Sequence, residues 1–229
     1  MLHGKIGMDA FLGRDVDLYF HDHYYGFSSS ANTLKYINYL KNDRRNYDAV
    51  IPQCEDKAAS VLAADLDALV RQYGPLTVCG IPRSKREDYY HPAKMGLKRA
   101  IRKAVAMNPN LTDGVDYIVR HTNTLCTHRS YWGYGGDGEG PRPGLLRDTC
   151  TLSNEIAGKN IVLIDDIYTA GVGIDEDGVQ ALLDAGAKSV IMYTFGCTAS
   201  RGYRKCACQA PGLGCHFVGG VRSGRMKGL

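Results

Sequence analysis

Two adjacent carboxylates, Asp165 and Asp166, end a run of four apolar β-formers, Ile161 to Ile164, and a small-residue turn follows, Thr169-Ala170-Gly171-Val172-Gly173. A run apolar on both faces predicts a parallel strand buried between helices, and ligands of such sheets bind beyond the carboxyl ends of the strands. In the turn, glycines let successive backbone N–H groups converge, and the helix that follows adds its positive dipole end, so a phosphate group is the natural occupant. The alternative is an ordinary strand-to-helix connection with two solvated aspartates. A second cluster, Pro82-Arg83-Ser84-Lys85-Arg86, gathers three cations around a serine after another apolar run. Guanidinium and ammonium groups there could grip pyrophosphate through charge-assisted hydrogen bonds. Alone, that loop reads more readily as a solvated surface feature than as a site. The third candidate is the long segment Thr122 to Gly158, with little apolar periodicity and a glycine-rich stretch from Tyr131 to Gly140 that holds the only tryptophan, Trp132. Long unstructured loops inside a compact domain commonly serve as lids. His128 and Arg129 stand at its start, where either could reach a phosphate or both could be a plain exposed pair.

The elements that must position these groups alternate. Strands are predicted at Tyr47 to Pro52, Leu76 to Ile81, Tyr117 to His121, Asn160 onward and Ser189 to Phe195. Helices are predicted from Ala31 to Arg45, from Lys57 to Tyr73, from Pro92 to about Met107, and from Ile174 to the stop at Gly186. The helix from Lys57 is the clearest, with Ala58, Val61, Leu62, Leu66, Leu69, Val70 and Tyr73 on one face. Strand, helix, strand, helix is the pattern of an α/β protein with a parallel sheet, here of five strands flanked by helices. Residues 47–198 are expected to form that core, with 1–46 and 199–229 contributing a small cap. Within the first of these, Asp15 to Phe27 is aromatic and His-rich, a strand pair or a loop closing over a site. His21 and His23 would share one face of a strand, but without a Cys or acidic partner at suitable spacing packing is preferred to metal ligation.

The chain has 229 residues, a net charge of +4 and eight cysteines. Its length suits one domain of generous size. The positive charge is spread along the sequence, so a nucleic-acid partner is signalled weakly and stays open. The amino-terminal residues lack the apolar core of a secretory signal and no apolar run approaches a membrane span, so a cytoplasmic protein with no membrane partner is expected. Reduced thiols are then expected in preference to a disulfide framework. Near the carboxyl end, Cys206, Cys208, Cys215 and His216 could supply four soft ligands for Zn2+. Adjacent and alternate residues point apart and match the usual Cys-x2-Cys knuckle poorly, which favours free thiols or packing over a structural zinc.

The spacing Asp165-Asp166, two residues, then Thr169-x-Gly171-x-Gly173 resembles the phosphoribosyl-pyrophosphate (PRPP) loop of type I phosphoribosyltransferases. The resemblance implies that Asp165 and Asp166 hold the ribose hydroxyls, and with them a Mg2+ ion, and assist the developing positive charge as the catalytic pair. It implies that Thr169, Ala170, Gly171, Val172 and Gly173 wrap the 5′-phosphate, and that Arg83, Ser84 and Lys85 form the pyrophosphate loop. His128, Arg129, Tyr131 and Trp132 would belong to a mobile flap. Two positions depart, because Ala170 and Gly173 stand where the family usually carries Thr or Ser. The resemblance covers Leu34 to Thr198 and is nearest to the branch of the competence protein F and amidophosphoribosyltransferase-like proteins, through Leu34-Lys35-Tyr36, Ile81-Pro82 and Ala185-Gly186-Ala187. That branch's leading zinc cysteines are missing, and Asp88-Tyr89-Tyr90-His91-Pro92 replaces its Arg-Gly-Phe-Asn-Gln run. Two functions are implied. One is a transferase that moves ribose 5-phosphate from PRPP to a base or amine, with release of pyrophosphate. The other is a non-catalytic PRPP- or nucleotide-binding module with a regulatory or DNA-uptake role. A homodimer stays open on either.

Overall fold

The computed structural model describes residues 1–41, 48–126 and 138–199. Its main sheet runs in the order β1 (Leu2–Ile6), β2 (Val16–Tyr24), β8 (Ser189–Thr198), β7 (Asn160–Tyr168), β3 (Leu76–Gly80) and β4 (Leu111–Asp113). The five strands from β2 to β4 are parallel to their neighbours, while β1 is antiparallel to β2 at one edge. A separate antiparallel pair joins β5 (Ile118–Arg120) to β6 (Cys150–Leu152). The helices are α1 (Lys35–Lys41), α2 (Ile51–Tyr73), α3 (Gly96–Val105), α4 (Leu145–Thr149) and α5 (Ile174–Asp184).

Alternation along β7 explains the layering. Val162 and Ile164 join a core built with α1, α2 and α3, whereas Ile161 and Leu163 join a second core with α5, β1 and the β5–β6 pair. Successive side chains of a strand point to opposite faces, so a strand apolar at each of these positions must be covered on both sides. No helix among the described residues is long and apolar enough to cross a membrane.

Parallel strands are present as the sequence implies, but two of the expected members are replaced. The segment expected as a strand at Tyr47 to Pro52 does not form one over its described residues: Asp48–Val50 is a 3-10 turn, and α2 begins at Ile51 with a proline in its first turn. Proline suits that position because a helix leaves its first N–H groups unpaired. The segment from Tyr117 supplies β5 of the small sheet, with Ile118 and Arg120 buried and Val119 exposed. Their places in the main sheet are taken by β2 and β4. The amino-terminal residues assigned to a cap therefore contribute two strands to the sheet, and Asp15 to Phe27 holds a single strand, not a pair. Thr122 to Gly158 also carries more structure than its sequence suggests, since α4 and β6 lie within it.

Candidate functional site

The site exists because β7 outruns β3. Their last paired positions are Gly80 and Ile164, and Ile81 N–H donates to Ile164 O at 2.9 Å before the chain turns away. β7 continues to Tyr168, supported only by β8. Asp165 and Asp166 thus lie within the strand, not past its end, on an edge that β3 has left. The crevice between them is a cavity of about 380 Å3, lined by Lys41 from α1, Arg83, Ser84 and Lys85 from the loop after β3, and Asp165, Asp166, Thr169, Val172 and Asp175.

The two aspartates serve opposite faces of β7. Asp166 Oδ1 lies 2.7 Å from Lys41 Nζ on the α1 side. Burial alone would lower the Lys41 pKa, but the carboxylates of Asp166 and Asp165 outweigh it and the net shift is upward, which keeps the ammonium charged. Asp165 turns to the α5 side, where its carboxyl interacts electrostatically with that of Asp175. Burial, followed by the Asp166 charge, pushes Asp165 up to about 7. Asp175 is raised well above the carboxylate range by burial and then by the charges of Asp165 and Glu176. Two buried carboxyl groups so near each other cannot both ionise cheaply, and burial favours the neutral form of Asp175. It is 5 % exposed, and its Oδ1 has no hydrogen-bond partner, a state far less costly for a neutral acid than for an anion.

The turn after β7 has the backbone form its glycines imply. Gly171 and Gly173 adopt φ of 79° and 88°. The Thr169 hydroxyl lies 2.7 Å from that of Thr198 at the end of β8, and Ala170 is exposed. Gly173 is covered by Phe11 from the β1–β2 connection, close enough that a Cβ there would sit 2.6 Å from the ring. The first turn of α5 then presents Asp175, Glu176 and Asp177, all buried. Glu176 accepts from the Tyr168 hydroxyl at 2.8 Å, and Asp177 accepts from the backbone N–H groups of Gly144 and Leu146. Carboxylates are favoured at the positive end of a helix. Here they stand beside the end that the sequence pattern assigns to a phosphate.

The basic loop reaches the cavity, but much of its donor capacity is turned inward. Arg83 Nη1 donates to the carbonyls of Lys41 (2.8 Å) and Lys94 (3.2 Å), and its guanidinium covers the Tyr90 ring at 4.5 Å. Lys85 Nζ donates to Thr124 O at 2.8 Å, and Ser84 Oγ lies 3.4 Å from the Tyr90 hydroxyl. Arg120 fixes the loop from below, donating through Nε to Arg83 O at 2.6 Å and through Nη1 to Thr149 Oγ1 at 2.7 Å. The base of the expected flap is pinned beside this loop: Thr124 N–H donates to Ser84 O and Leu125 N–H to Glu139 O. The proposed flap residues His128, Arg129, Tyr131 and Trp132 lie outside the described residues, as do Cys206, Cys208, Cys215 and His216.

Among the described residues, no group of three or more His, Cys, Asp and Glu side chains is placed to hold a metal ion. With Asp165 and Asp166 on opposite faces of one strand, their carboxylate chemistry fits an ion that arrives on a ligand's own hydroxyls, not one caged by protein. The sequence reading missed Lys41, Asp175, Tyr90, Arg120 and Phe11. Only Lys41 left a trace, as the basic end of an amphipathic helix.

No protein-family model matches this chain, and neither does any curated protein. Among solved structures, the chain is similar to a hypoxanthine phosphoribosyltransferase from Staphylococcus aureus at 12 % identity and a TM-score of 0.34, over 73 % of this chain and 83 % of that one. Likeness at that level supports no conclusion about the site.

Proposed function

We propose that this chain is a phosphoribosyltransferase that binds PRPP with Mg2+ in the crevice between β3 and β7 and transfers its ribose 5-phosphate to a base or amine. The observation that carries the reading is the meeting of two motifs far apart in sequence: the Asp165–Asp166 pair and the Arg83-Ser84-Lys85 loop line one cavity. Asp165 and Asp166 would accept hydrogen bonds from the ribose hydroxyls and face the positive charge that develops at the anomeric carbon. The turn from Thr169 to Gly173 would take the 5′-phosphate on its backbone N–H groups, and the loop after β3 would receive the departing pyrophosphate. Positioning and electrostatics would supply most of the rate. Magnesium, bonded to the substrate's own oxygens, would lower the charge of the pyrophosphate. On this reading the chain resembles the branch of the competence protein F and amidophosphoribosyltransferase-like proteins.

A second reading, a PRPP- or nucleotide-binding module without catalysis, is favoured by Arg83, whose Nη1 bonds to two backbone carbonyls, and by the missing hydroxyls at Ala170 and Gly173. One experiment separates them. Calorimetry with PRPP and Mg2+ should give binding that Asp165→Asn with Asp166→Asn abolishes, and pyrophosphate should then be released when purine or pyrimidine bases or amines are added. Binding without release under every acceptor would favour the module. Unaltered binding in the double variant would remove the site from the account.

A further inference from the structure

The cations around the cavity are not equivalent. Arg83 holds backbone carbonyls, Lys85 holds the Thr124 carbonyl, and Arg120 holds Arg83 O. Lys98 pairs with Glu87 and Asp116. All these partners belong to the protein's own framework, and a phosphoribosyl ligand would claim none of them. Lys41 differs, since its partner Asp166 is one of the carboxylates assigned to the ribose. The pair lies below the surface, with Lys41 about 28 % and Asp166 about 15 % exposed. Its end of the cavity is also fixed. Lys41 O accepts from Arg83 at 2.8 Å, which ties the end of α1 to the loop after β3, the loop assigned to pyrophosphate.

We propose that Lys41 is a substrate-binding residue that exchanges partners, pairing with Asp166 in the free protein and with the pyrophosphate group of bound PRPP. The inference rests on the phosphoribosyl reading above. When a ribose diol takes Asp166, neutral hydroxyl donors replace an ammonium. A partly buried cation left without a counter-anion is strongly disfavoured. A ligand that brings a diol and a pyrophosphate together supplies the replacement in the same event, whereas a ligand with the diol alone does not. Lys41 thereby ties recognition of one end of the substrate to recognition of the other.

The test compares PRPP, inorganic pyrophosphate and ribose 5-phosphate, each with Mg2+, by calorimetry on the wild type and on Lys41→Met, Lys41→Gln and Lys41→Arg, with folding checked by circular dichroism. Lys41→Gln keeps a hydrogen-bond donor toward Asp166, so it serves if the methionine variant fails to fold. In Met or Gln, affinity for PRPP and for pyrophosphate should fall about 10- to 100-fold, the worth of a charge-assisted hydrogen bond, while ribose 5-phosphate stays unchanged or binds tighter. Lys41→Arg should recover most of the loss. Equal or tighter PRPP binding in Lys41→Gln would overturn the exchange, leaving Lys41 as a mere competitor for Asp166. An equal loss for all three ligands would also overturn it, as a packing effect. If the wild type binds neither PRPP nor pyrophosphate, the phosphoribosyl reading itself fails and the exchange goes with it.

Discussion

Gly173 offers the sharpest test of how the turn after β7 is built, because two independent costs meet there. It sits at φ 88°, and a Cβ added to it would lie 2.6 Å from the Cε2 and Cζ atoms of Phe11. An L side chain in the left-handed region costs about 1–2 kcal/mol. Forcing a methyl group against a packed ring adds about 1–3 kcal/mol, as overpacking does generally. Gly173→Ala should therefore lose about 2–5 kcal/mol of stability in the wild-type background. With Phe11→Ala already in place, only the backbone cost of about 1–2 kcal/mol should survive. Urea unfolding of the four proteins in this cycle measures the coupling directly, expected at about 1–3 kcal/mol. Gly171 is the internal control, since its φ is 79° but nothing lies within 4 Å of its Cβ position. Gly171→Ala should cost the backbone amount alone, with or without Phe11. If Gly173→Ala costs the same in both backgrounds, to within about 0.5 kcal/mol, Phe11 does not press on the turn and the reasoning fails.

Three further outcomes follow from the same contacts. Ala170 is exposed, so Ala170→Thr should change stability by less than about 0.5 kcal/mol and, if the turn holds a phosphate, tighten PRPP about tenfold in calorimetry; unchanged or weaker binding would mean that the turn serves another ligand. Arg120→Met should cost about 1–3 kcal/mol in thermal or urea unfolding, because it strands the half-buried Arg83 carbonyl, and should speed proteolysis within Pro82 to Arg86; an unmoved midpoint would show that the loop does not depend on it. Burial alone would raise the Asp65 pKa, but hydrogen bonds from His21 (2.9 Å) and Tyr193 (2.8 Å) outweigh it and the net shift is downward. A carboxylate with a depressed folded pKa contributes stability above its unfolded value and loses it as pH falls through the folded one. Asp65→Asn should thus cost about 2–3 kcal/mol at pH 7, and the difference from wild type should shrink below about pH 4; a pH-independent difference would contradict this.

The strand, turn and helix from Asn160 to Asp184 were legible because each step carries its own signal: a run apolar on both faces, glycines where φ must be positive, and helical spacing afterwards. The rest of the sheet was hidden for physical reasons. β4 is only three residues long, with Thr112 and Asp113 exposed, so it offers no periodicity to read. β2 is buried at Leu18, Tyr19 and Phe20 but polar beyond them, and tertiary pairing with β8 decides its place. The short run at Tyr47 to Pro52 fits a strand or a helix start equally, and the proline favours the helix. At the site, the sequence named residues that the fold brings to one cavity, but not the directions their side chains take. Nothing in a basic loop tells whether a guanidinium faces solvent or, like Arg83, backbone carbonyls. An acidic first turn such as Asp175-Glu176-Asp177 is an ordinary helix start until the fold buries it beside Asp165.

The crevice that results is electrically divided. β7 and the start of α5 contribute Asp165, Asp166 and Asp175, whereas Lys41, Arg83 and Lys85 approach from α1 and the loop after β3. In a partly desolvated cleft such separation acts on a ligand more strongly than it would in water. It favours a molecule with hydroxyl donors toward the acidic wall and a dense anion toward the basic one. A uniformly anionic ligand would meet repulsion at β7, and a neutral one would leave Lys41 bound to Asp166 and gain nothing from the basic side. A sugar bearing a pyrophosphate satisfies both walls. On the proposed reading its 5′-phosphate would lie near α5, where buried acidic side chains already stand at the helix end. That phosphate is therefore the part of PRPP this fold should recognise most weakly, and the pyrophosphate end, with Lys41, the part that decides affinity.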